Sequence, residues 1–156
     1  FPGQIPDPLV LAEPLPDGAI DLEGHELIPV EVGHSDTDSS TVLSVPDIGL
    51  VVAGDAVYND VHQYLRESGP EGRQAWMAAL DTIESLHPRV VIAGHQRAGR
   101  HDGPEIIEET RQYIRDVDRA VETTETSRQL YDKVLALYPE RVNPGMLWWS
   151  ARALKP

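Results

Sequence analysis

The chain has 156 residues, 40% of them hydrophobic and 25% charged, enough apolar material for one folded domain with its own core. Asp and Glu number 26 against 13 Lys and Arg, a formal net charge of -13, which argues against a nucleic-acid partner because such binders need a basic face to displace counterions. There is no cysteine, so disulfide scaffolds, cysteine-ligated metal centres and a cysteine nucleophile are excluded, and no apolar run is long enough to span a bilayer.

Residues 1–18 hold five prolines (Pro2, Pro6, Pro8, Pro14 and Pro16), which excludes a helix or a central strand and predicts an extended lead-in before a domain over residues 19–156. Residues 1–20 show no basic, apolar signal-peptide pattern, so localisation stays open with the cytoplasm favoured. Ala19–Leu22 and Glu26–Val32 read as strands around a Glu23-Gly24-His25 turn. Thr41–Val45 and Gly49–Ala53 read as two more, around a turn at Pro46–Gly49. The period then changes. Trp76, Leu80, Ile83 and Leu86 have helical spacing within Glu71–Leu86, and Arg89–Ala93 is a short buried strand. Pro104 suits the first turn of a helix carrying Ile106, Thr110, Tyr113, Val117 and Val121. Thr126 and Gln129 have capping-box spacing ahead of Leu130, Val134 and Leu137. The tail from Asn143 to Pro156 reads as an irregular cap. The order ββββ-α-β-α-α predicts an α+β or α/β layer, an antiparallel-to-mixed sheet with helices on one face.

Charge is unevenly spread. Residues 1–65 hold twelve acids and no base, whereas residues 66–156 hold fourteen acids and thirteen bases. A solvated acidic surface accounts for this, and so does a field that gathers cations.

One device recurs three times: an apolar strand, a glycine, then a metal-ligand type of side chain. Val30-Glu-Val-Gly33 leads to His34, Leu50-Val-Val-Ala-Gly54 to Asp55, and Val90-Val-Ile-Ala-Gly94 to His95. A strand is a rigid mount, and glycine lets the chain turn and project the next side chain. If the strands are neighbours, two imidazoles and a carboxylate converge on one edge as ligands for a divalent ion. Singly, each such end is equally well a loop residue; the triple occurrence points to a site. Ser35 to Ser40 after His34 suit turn capping or support of the imidazole. Tyr58, three residues after Asp55, is placed to donate to a substrate carbonyl, and His62 shares its face if residues 56–66 begin a helix. Both residue types are also common as packed core. His25, His87 and His101 are lesser candidates, in a turn, at a helix end and in a loop.

These three elements, in this order, resemble the metallo-β-lactamase-fold hydrolases. His34 in Gly-His-Ser-x-x-x-Ser looks like that superfamily's third motif, Asp55 in Ala-Gly-Asp its fourth, and His95 in Ile-Ala-Gly-His its fifth. Asp55-Ala-Val-Tyr58 looks like the lactonase branch, where a tyrosine at this offset contacts the substrate carbonyl. The superfamily's His-x-His-x-Asp-His stretch is not found here. The resemblance therefore implies the C-terminal half of an αββα sandwich, with a missing N-terminal half as partner and a homo-oligomer as another way to cover the open sheet.

The resemblance implies a small-molecule substrate, two zinc ions in the complete enzyme (iron or manganese being alternatives), and metal-activated hydroxide attacking an ester, lactone, thioester or amide. His34, Asp55 and His95 would hold metal, Asp55 and Tyr58 would be catalytic, and Tyr58 and His62 would meet substrate. Two other readings remain at this point: a non-hydrolytic iron or sulfur-oxidising member of the fold, and a metal-free interaction module.

Overall fold

The computed structural model describes Gly3, residues 11–15 and residues 18–156. Most of the proline-rich lead-in expected over residues 1–18 lies outside the described residues, and residues 11–15 form neither helix nor strand. Strands β1 (Ile20–Leu22), β2 (His25–Gly33), β3 (Ser40–Val45), β4 (Leu50–Asn59) and β5 (Val90–Gln96) form one sheet in the order β1-β2-β3-β4-β5. Neighbours are antiparallel up to β4, and β4 and β5 run parallel. A parallel pair needs a crossover, and helix α1 (Pro70–Ser85) supplies it. Helices α2 (Glu105–Glu122), α3 (Ser127–Leu137) and α4 (Pro144–Leu154) follow. The result is the mixed sheet of an α+β domain.

Local chemistry explains the connections. Glu23 and Gly24 both have positive φ, as a two-residue hairpin between right-twisted strands requires, and Leu22 faces His25 across it. Thr126 accepts from the Gln129 backbone N–H while the Gln129 side chain accepts from the Thr126 N–H, so the predicted capping box starts α3.

The core lies between the sheet and α1 and α2. Val42, Val51, Ala53, Val91 and Ala93 point into it from the strands. Trp76, Ala79, Leu80 and Ile83 meet them from α1, and Ile106, Tyr113, Ile114 and Val117 from α2. Burying each large apolar side chain stabilises the fold by about 1.5–3 kcal/mol. The alternate strand residues point the other way. Leu43 pairs with Val52 and Val52 with Ile92, while Val45 pairs with Leu50 and Leu50 with Val90. These form two apolar rows on a face that stays partly open, Val52 and Val90 each 37% exposed.

Two expectations are corrected. Residues 56–59 are strand and do not begin a helix, so Tyr58 and His62 share no helical face. The strand persists because Tyr58 and Asn59 still pair with His95 and Gln96. Thr110 of α2 also holds it: its hydroxyl accepts from the Tyr58 N–H and faces the Tyr58 carbonyl, both at 3.1 Å. The tail is not irregular either. Asn143 adopts the left-handed conformation and Pro144 opens α4, where a missing N–H costs nothing. Ser150 fixes that helix by accepting from the Leu65 N–H at 2.9 Å.

Candidate metal centre

Asp55 and His95 meet on the parallel pair β4 and β5. In register, Val52 faces Ile92, Gly54 faces Ala93, and Tyr58 faces His95. From Gly54 to Tyr58 the chain advances four residues while β5 advances two, so β4 carries extra residues there. Such a bulge re-aims side chains. Gly54 supports it at φ +54°. Asp55 lies in this bulge, inside β4, and His95 lies one residue before the end of β5, so both stand within strands and not beyond them. The Asp55 Oδ1 to His95 Nε2 distance is 3.4 Å, and each side chain is about half exposed. Gly94 makes room for the carboxylate: a Cβ there would overlap Asp55 Oδ1 and lie 2.8 Å from the Gly54 carbonyl carbon.

Tyr58 lies beneath this pair. Its ring stacks on His95 at 5.3 Å between centroids and 29° between planes, and tilts against Trp76 at 6.1 Å. It is 1% exposed, and its hydroxyl points to Asp36 Oδ2 at 3.5 Å. Burial, then the Asp36 and Asp55 charges, push the phenol well above its usual range, so it stays protonated and serves as a donor. Burial first, then the Asp55 charge, raise the Asp36 carboxyl as well. Asp36 was visible in the sequence only as one of several turn-capping residues; its place under Tyr58 arises from folding.

His34 is held elsewhere. Its Nδ1 is 2.7 Å from Asp38 Oδ1 and its Nε2 is 3.0 Å from Ser68 Oγ. Ser68 is fully buried and has one hydroxyl proton, which the Ser35 carbonyl accepts at 3.0 Å. Both ring nitrogens are therefore engaged by protein partners, and a metal at His34 would have to displace Ser68 or Asp38. Its ring rests on the first turn of α1, where a Cβ on Gly72 would lie 2.7 Å from Nε2.

His62 is fully buried, not aimed at solvent. Its Nδ1 lies 2.9 Å from the Tyr113 hydroxyl, and Nε2 has no protein partner. Burial, then the Arg141 charge, push its pKa down to about 4, so near neutrality it is an uncharged core residue. Among the lesser candidates, His25 pairs with Asp47 at 3.0 Å and His101 approaches Glu105 at 3.5 Å, both at the surface.

The structure therefore brings together Asp55, His95 and Tyr58, and leaves His34 and His62 on other partners. Among the described residues, no group of three or more His, Asp or Glu side chains stands ready to hold a metal. Two adjacent donors are half of an ordinary protein site. The described residues, so arranged, do not complete one.

The family model described as the metallo-beta-lactamase superfamily matches residues 2–95, ending on the second histidine of the three-part pattern. The chain belongs to the metallo-beta-lactamase superfamily. Members of this superfamily usually bind metal ions. A metallo-beta-lactamase family protein from Thermus thermophilus superposes with a TM-score of 0.62 at 21% identity, over 90% of this chain and 46% of that one. A metallo-beta-lactamase from Pontibacter korlensis superposes with a TM-score of 0.52 at 15% identity, over 63% of this chain and 45% of that one. At these identities the likeness concerns the fold, and it agrees with half of the superfamily's sandwich. The match covers less than half the length of either structure. No curated protein matches it.

Proposed function

We propose that this chain is the C-terminal half of a metal-dependent hydrolase, acting on an ester, lactone, thioester or amide. The observation that carries the reading is the Asp55–His95 pair, 3.4 Å apart on neighbouring strands of a metallo-beta-lactamase-superfamily chain. Asp55 and His95 would be donors to a divalent ion, zinc by preference, with two ions in the complete enzyme. His34 would join them only after leaving Ser68 and Asp38. A divalent ion, once bound, supplies a water of lowered pKa.

The chain's own residues do the rest. The β4 bulge and Gly94 hold the Asp55 carboxylate against His95. Tyr58 supports the imidazole by stacking, and as a protonated phenol it is a donor for a carbonyl oxygen if its hydroxyl turns from Asp36. That role, with the three-residue spacing, is the ground for a lactonase-like preference.

The remaining donors are assigned to an N-terminal half of the same fold. The open apolar rows around Val52 and Val90 support such a partner, since a second sheet packed there removes them from water. The test is turnover of aryl esters and lactones by the protein carrying both halves, with and without chelator. Asp55→Ala and His95→Ala are each expected to abolish the chelator-sensitive rate. An Asp55→Ala protein with the unaltered rate refutes the assignment.

A further inference from the structure

One cavity lies away from the Asp55–His95 pair, which does not line it. It is a groove of about 690 Å³ between one face of α2 and the connection from α3 to α4. That volume is in the range of small-molecule sites. Leu137, Tyr138 and Pro139 form an apolar wall, and Leu137 is 53% exposed. Glu105 and Gln112 of α2 and Glu140 also line it.

The charges of the groove do not balance. Five carboxylates and two guanidiniums line it. Asp60 is paired with Arg97, Glu109 with Arg100, and Glu108 with Arg111 and Arg115. Glu105 has only His101, 3.5 Å away, and Glu140 has no ion pair among the described residues. Arg141, lining the same groove, is committed to protein. It donates to the Val61 and Glu109 carbonyls and lies between Tyr113 and Tyr138, 4.7 and 4.8 Å from their ring centres. An anionic ligand thus meets no available guanidinium there, whereas a cation meets Glu105 and Glu140, neither of them paired with a lysine or arginine among the described residues, beside an apolar wall.

We propose that this groove binds a small organic cation with an apolar body, an aryl- or alkylammonium, its charge toward Glu105 and Glu140 and its body on Leu137 and Pro139. The site is separate from the metal-donor pair, and its occupancy does not depend on the hydrolase reading.

The test uses the whole 156-residue chain, with binding followed by amide chemical shifts. The probes are 4-phenylbutylamine, 4-phenylbutyrate with the same body and opposite charge, and tetramethylammonium with no body. The amine is expected to saturate, with shifts confined to the exposed face of α2 and to residues 137–141, and the other two to bind at least about tenfold more weakly. Glu105→Gln with Glu140→Gln, and separately Leu137→Ser, should each weaken the amine about tenfold. All three positions are exposed, so the melting temperature should hold. Equal binding of butyrate, no saturation by the amine, or full affinity in both variants overturns the proposal.

Discussion

Replacing Gly72 by alanine tests where His34 sits. Gly72 is in the first turn of α1, and its built Cβ lies 2.7 Å from His34 Nε2 and 3.2 Å from Cδ2. In a free helix, Gly→Ala stabilises by up to about 1 kcal/mol. Here the methyl group displaces the imidazole and breaks its contacts with Ser68 and Asp38, each worth about 1 kcal/mol. The net expectation is a loss of about 1 kcal/mol, or roughly 2–4 °C in melting temperature for a domain of this size. In a His34→Ala background the obstacle is gone, and the same change should stabilise. The coupling from the double-mutant cycle should be about 2 kcal/mol, read by urea unfolding followed by circular dichroism. Equal stabilisation in both backgrounds would refute the placement of His34 on α1.

Two further outcomes follow from named contacts. Gly94→Ala places a Cβ on the Asp55 carboxylate and against the backbone of residues 54 and 55, so about 1–3 kcal/mol of stability should be lost; unchanged urea unfolding contradicts the close crossing of β4 and β5. His62 has a native pKa of about 4 against an ordinary 6.5, so on acidification the unfolded chain takes the proton first. Its contribution is complete above about pH 6.5 and is lost as pH falls toward 4, by about 3 kcal/mol in all. His62→Gln should flatten that part of the stability profile, and a slope matching wild type refutes the buried neutral imidazole.

Much of the fold was legible in the residues. The Glu23-Gly24 hairpin, the Thr126–Gln129 capping box and the Trp76–Leu80–Ile83 stripe are local signals, and folding leaves them where they stood. The strand-glycine-ligand pattern drew attention to Asp55 and His95, and the sheet sets them side by side. What escaped depends on contacts distant in sequence. β4 runs on to Asn59 because β5 and Thr110 hold it, and no pattern in residues 56–59 records that. The tail from Asn143 reads as an irregular cap, yet Asn143 in the left-handed conformation delivers Pro144 into a helix. His34 looked equivalent to His95 because both follow glycine. Ser68, thirty-four residues away, sets them apart.

Zinc titration calorimetry on the 156-residue chain, run beside Asp55→Asn, His95→Ala and His34→Ala, tests the central claim most directly. The account predicts weak binding of zinc that Asp55→Asn or His95→Ala abolishes and His34→Ala leaves intact. Tight binding that needs His34, or binding indifferent to Asp55, would contradict it.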